Sequence, residues 1–194
     1  MSGEKRFERW SSSYERSLLQ RLLFDRVHWA IFRATDGVTV PHTILDVGCG
    51  TGRLLREAHR RWPETTVIGV DLSAGMIEQA RQLAAYATFF LAPAEGLPLP
   101  AESVDLAVST MSFHHWTDKE QGIREIVRVL RPGGRFLLAD HAAPRWLRLI
   151  GVTSALSAAE RCSALASSGL TVIEQKPILS PYLVLTIGQK ESRS

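Results

Sequence analysis

Apolar positions over residues 7–32 recur at three- and four-residue steps. Leu18, Leu19, Leu22, Leu23, Val27, Ala30 and Ile31 fall near one side and Arg16, Arg21 and Arg26 on the other, which predicts one or two amphipathic helices. The period then changes. Residues 43–47 form a short buried-strand run that stops at glycine, and helix alternates with strand from there on, with strands predicted at 66–70, 88–91, 104–108 and 135–139. A helix begins near Arg53 and another spans 73–85. Thr117 with Glu120, and Ser157 with Glu160, read as capping boxes for helices over 117–130 and 157–167, the first ended by Pro132-Gly133-Gly134. Closing strands near 171–174 and 182–187 are joined by a turn at 177–181, too short for a parallel crossover, so they pair antiparallel. The alternation predicts an α/β fold with a mainly parallel sheet covered on both faces, and such sheets bind ligands at the carboxyl ends of their strands.

The 194 residues suit one domain, with residues 1–36 as a helical lid and 43–190 as the core. No apolar run reaches the roughly 18 residues that span a bilayer, and the first ten residues carry charge where a secretory signal would be apolar. Only two cysteines occur, Cys49 and Cys162, which points to a reducing, cytoplasmic setting. The net charge is +3 with arginines scattered over several helices, a poor basis for nucleic-acid binding.

Residues 45–52 read Leu-Asp-Val-Gly-Cys-Gly-Thr-Gly. A strand runs into three alternating glycines and then a helix, so a ligand can approach the backbone and meet a positive helix end. A dinucleotide fingerprint needs glycine where Arg53 stands. Asp46 beside the loop suits a cation better than a pyrophosphate. From about Thr43 to Asp140 the sequence resembles the class I S-adenosylmethionine-dependent methyltransferases, Rossmann-like enzymes with a seven-stranded sheet and an antiparallel last strand. The similarity is nearest to the small branch that includes ubiquinone and menaquinone biosynthesis and natural-product methyltransferases. It rests on Asp46, Gly48, Gly50 and Gly52; on Asp71 ending the second strand; on residues 92–100; on residues 104–116 with their His114-His115 pair; and on Leu130-Arg131-Pro132-Gly133-Gly134-Arg135.

The resemblance implies S-adenosyl-L-methionine as cofactor. Asp46, Gly48, Cys49, Gly50 and Gly52 would hold its methionine part, Asp71 both ribose hydroxyls, and Leu72 and Met76 would flank the adenine, with Ala94, Glu95 and Ser109 nearby. Pro93 replaces the Asp that commonly meets the adenine amino group in that family, so that this hydrogen bond is absent, taken over by Glu95 or made by a water. A Trp-x-x-x-Tyr segment, here Trp10 to Tyr14, would bring Tyr14 over the cofactor. A base is needed only if the acceptor loses a proton. His114, His115 and the Asp140-His141 pair compete for that role, against filling the rim of a pocket. No metal site follows from these histidines. The acceptor pocket, walled by the N-terminal aromatics, residues 113–116 and those after Asp140, favours a hydrophobic or aromatic small molecule. The chain would act as a monomer or homodimer. Residues 144–150, Pro-Arg-Trp-Leu-Arg-Leu-Ile, suggest contact with a membrane surface without making it the main expectation. A cofactor-binding protein with a regulatory or partner role and no turnover is the alternative, with Pro93 as its support.

Overall fold

The computed structural model describes residues 18–37 and 39–192. The expected aromatic lid residues Phe7, Trp10 and Tyr14 therefore lie outside the described residues. In chain order the elements are α1 (Leu18–Arg33), β1 (Thr43–Val47), α2 (Arg53–Arg61), β2 (Thr66–Asp71), α3 (Ala74–Leu83), β3 (Thr88–Leu91) and β4 (Val104–Thr110). A 3₁₀ turn (Phe113–His115), α4 (Lys119–Val129), β5 (Leu130–His141), α5 (Arg145–Leu149), α6 (Ala158–Ser167), β6 (Leu170–Ser180) and β7 (Leu183–Lys190) follow.

The strands form one seven-stranded sheet in the order β3-β2-β1-β4-β5-β7-β6. The pairs from β3 to β5 are parallel, while β7 runs antiparallel to both β5 and β6. Side chains alternate between its faces. Ile44, Leu106, Val108 and Leu137 pack with Val27 and Ile31 of α1, Leu54, Leu55 and Ala58 of α2, and Ile77 and Ala80 of α3. Leu45, Val47, Ala107 and Leu138 pack on the other face with Ile123, Ile126 and Val129 of α4 and Leu165 of α6. With both faces covered, the central strands carry near-continuous apolar runs. The chain builds outward from β1 to β3 and then returns to place β4 on the other side of β1. The resulting switch point lies at the carboxyl ends of β1 and β4, where sheets of this kind bind ligands.

Several boundaries differ from expectation. Thr117 does not cap α4; Asp118 does, its carboxylate accepting from the Gln121 N–H at 2.9 Å. The Ser157–Glu160 capping box is present. Pro132-Gly133-Gly134 is not a separate turn: β5 already starts at Leu130, and the three residues lie in an irregularity where pairing jumps from Val104–Leu130 to Leu106–Arg135. β6 runs past Glu174 and through Pro177 to Ser180, which an edge strand tolerates because its outward N–H groups need no partner.

Candidate active site

The loop after β1 is shaped by three glycines with positive φ, Gly48 at 77°, Gly50 at 52° and Gly52 at 74°. Each has a different reason. A Cβ on Gly48 would stand 1.8 Å from Ser112 Oγ, and one on Gly52 would press on the Phe89 ring at 2.9 Å. A Cβ on Gly50 would meet nothing within 4 Å, because Gly50 faces open space. The loop is tied to β2 through the Gly48 and Cys49 N–H groups, which both donate to the Val70 carbonyl, at 2.7 and 3.0 Å.

Two carboxylates flank the loop. Asp71 Oδ2 accepts from the Gly50 N–H and Oδ1 from the Ser73 N–H, both at 2.8 Å. Burial raises its pKa against those bonds. Asp46, in the middle strand, is 1% exposed, and its Oδ1 has no hydrogen-bond partner. Burial first, and then the charge of Asp71, push it up to about 8. A buried carboxyl with an unmet acceptor beside a second acid is a place prepared for a positive group. The Cys49 thiol, buried beside both acids, is raised as well.

The second group of residues comes from β4 and β5. Met111, at the exit of β4, holds φ at 54°, rare for a side chain of its size. Ser112 follows against Gly48, joining the two halves. Asp140, next to last in β5, is wholly buried. Its Oδ1 lies 2.7 Å from His114 Nδ1 and accepts the His141 N–H at 2.6 Å, while Oδ2 accepts the His114 N–H at 3.0 Å. Burial alone would raise Asp140, but these bonds and the nearby imidazole hold it below its usual value. The rings of His115 and His141 lie 3.9 and 5.7 Å from that of His114. His115 titrates below its ordinary range through lost hydration and then the charge of His114. The rivals His114 and Asp140 are therefore partners, whereas His141 meets Asp140 only through its backbone.

Arg161, unforeseen from the sequence, completes this half. Its fully buried guanidinium donates to the carbonyls of Val184 (2.9 Å), Asp140 (3.3 Å) and His141 (2.6 Å). The one sequence signal for it is a charge on the buried stripe of α6 one turn before Leu165. Among the remaining expected residues, Leu72 is 66% exposed beside Asp71, while Met76 and Ala94 are buried. Glu95 Oε1 accepts the Asp118 N–H at 2.9 Å and so braces the start of α4. Ser109 is 0% exposed with an unpartnered hydroxyl, on the sheet face of Ala107, which α4 covers. The described residues bring together no cluster able to hold a metal ion.

Residues 45–138 match the family described as methyltransferase domain. Over this stretch the chain carries a class I S-adenosylmethionine-dependent methyltransferase domain. It is 36% identical over 109 residues to the ubiquinone/menaquinone biosynthesis C-methyltransferase UbiE of Geobacter sulfurreducens, covering 53% of this chain and 43% of that protein. With the UbiE of Hahella chejuensis the identity is 33% over 150 residues, covering 72% and 59%. The chain thus spans about half the length of the curated relatives it matches. Its fold is shared with a Haloferax volcanii methyltransferase solved in complex with the Trm112 methyltransferase activator, at TM-score 0.77 and 24% identity over 95% of this chain and 97% of that one.

Proposed function

We propose that this methyltransferase moves the methyl group of S-adenosylmethionine to a small hydrophobic or aromatic acceptor, with His114 receiving the acceptor's proton. The bound cofactor supplies an electrophilic methyl carbon on a sulfonium that departs as a neutral thioether. The residues present fit it. Asp46, with its orphaned oxygen, suits the ammonium of the methionine part, and the space over Gly50 admits a ligand close to the backbone. Asp71 accepts the Gly50 and Ser73 N–H groups on different oxygens, with the Leu72 N–H also close, and keeps lone-pair capacity for ribose hydroxyls. Leu72 and Met76 supply apolar surface for the adenine. Glu95 already spends one oxygen on the Asp118 N–H.

One observation carries the proton-transfer reading: the contact between His114 Nδ1 and the buried Asp140. A carboxylate held in its ionised form can only accept, so Nδ1 keeps its proton and Nε2 presents a lone pair. A buried acid that fixes tautomer and orientation is the arrangement that makes an imidazole an effective base. The remaining work is positioning and exclusion of water. Binding without turnover gains nothing from this geometry.

Replacement of His114 by Gln tests the reading. We expect kcat to fall by roughly 10²-fold while S-adenosylhomocysteine affinity stays within a factor of about three. Unchanged turnover on the true acceptor would make His114 a rim residue.

A further inference from the structure

We propose that the segment after β5, residues 145–152, together with the β6–β7 turn, docks on an anionic lipid bilayer. Trp146, Leu149, Ile150 and Val152 are 59%, 73%, 64% and 65% exposed. They are joined by Tyr182, 60% exposed in the β6–β7 turn, whose carbonyl accepts the Ala142 N–H at 2.8 Å. Large apolar side chains scattered singly are ordinary, but a group on one short segment marks a contact surface.

The segment is anchored at both ends. Ala142 and Ala155 are buried, the Ala143 N–H donates to the Leu156 carbonyl at 3.4 Å, and Ser154 Oγ donates to the His114 carbonyl at 2.5 Å. What lies between those anchors projects from the carboxyl edge of the sheet, directly beside the histidine cluster.

Charge identifies the occupant. Residues 141–159 contain Arg145 and Arg148 and no Asp or Glu, and residues 177–182 contain no acid either. The carboxylate that reaches Arg145 is Glu160, at 3.9 Å, and its other oxygen is held by the Ser157 cap. The Arg145 side chain consequently remains 74% exposed. Tryptophan and tyrosine among aliphatic tips, with arginine and without acids, match the layered chemistry of a lipid interface, where rings and methyls enter the acyl boundary and guanidinium meets phosphate. Such docking would set the mouth of the candidate site against the bilayer.

Sedimentation of the full chain with vesicles tests this without any methyl transfer, so its outcome is separate from that of the proposed activity. Vesicles of equal phosphatidylcholine and phosphatidylglycerol should bind the protein at least about tenfold more tightly than phosphatidylcholine alone, with the difference shrinking at high salt. Combining Trp146→Ser, Leu149→Ser and Ile150→Ser should cut binding by about tenfold or more, with circular dichroism and S-adenosylhomocysteine titration confirming an intact fold. Brominated lipid should quench a tryptophan signal that Trp146→Phe removes. No binding to either vesicle, or binding untouched by the triple substitution, overturns the proposal. A dimer broken by those substitutions and undisturbed by vesicles overturns it too, because a second copy would then be the occupant.

Discussion

The proposed cofactor half and the proposed acceptor half of the candidate site are built by different means, although they meet where Gly48 faces Ser112. Around β1 and β2 the backbone does the shaping: three left-handed glycines turn the chain, and the loop's N–H groups bond to Val70 and Asp71. Around β4 and β5 side chains do it. Asp140 gathers three donors, two of them from His114, and Arg161 holds the carbonyls behind it. A site made from backbone tolerates little change of residue size, while a site made from side chains can lose its chemistry and keep its shape.

Alanine at Gly48 should have the largest effect. The new Cβ would sit against Ser112 and force a left-handed alanine, and overpacking with backbone strain together should cost about 3 kcal/mol in urea unfolding. Gly50→Ala gives the contrast. It bears only the conformational cost, about 1 kcal/mol, but points its methyl into the open space, so S-adenosylhomocysteine should bind roughly tenfold more weakly. Similar stability losses at both positions would show that the loop does not divide into a packed side and a ligand side.

Asp140→Asn strikes the other half. The amide can donate to His114 Nδ1, which moves the ring proton to Nε2 and removes the lone pair facing the acceptor. A fall in kcat of about 10²-fold or more is expected, with cofactor affinity nearly unchanged. One of the three N–H groups or ring donors that Asp140 now satisfies would be left weaker, lowering stability by about 1 kcal/mol. Nitrogen-15 spectra of the histidines would report the tautomer directly, and an unaltered His114 spectrum would refute the assignment.

These unlike constructions explain what is legible in the sequence. The cofactor half lies within residues 46–76, where alternating glycines and a strand-ending acid have fixed local meaning. The acceptor half needs the β4–β5 register to bring Asp140 to His114, and then α6 to bring Arg161 to Asp140, none of which has a local signature. For that reason the sequence pairs Asp140 with His141, its chain neighbour, instead of His114. The start of α4 is hidden in a similar way. Thr117 and Asp118 are both good caps, and the choice follows from Glu95, distant in sequence, which fixes the Asp118 N–H. The same bond turns one oxygen of Glu95 toward α4. The long β6 is masked by Pro177, which reads as a turn unless the strand is known to lie at an edge.

A pH-dependent effect on affinity concerns Asp46 and follows from its raised pKa. An acid with a folded pKa near 8 and an ordinary unfolded one binds its proton more tightly when folded, so its contribution favours the folded state at low pH and is lost as pH rises from about 4 to 8. Ligand binding should run the opposite way. A cation placed beside Asp46 stabilises the carboxylate, so binding at neutral pH releases a proton, and S-adenosylhomocysteine should bind about tenfold more tightly at pH 8 than at pH 6.5. Asp46→Asn removes the titrating group. It should flatten both trends, raising the melting temperature of the free protein most at pH 8 while weakening the ligand there. Calorimetric titration in buffers of different ionisation enthalpy would count the released proton. If the parent shows no proton release and no pH dependence, the buried carboxyl is not facing the cofactor's ammonium, and the backbone loop alone must hold that end of the ligand.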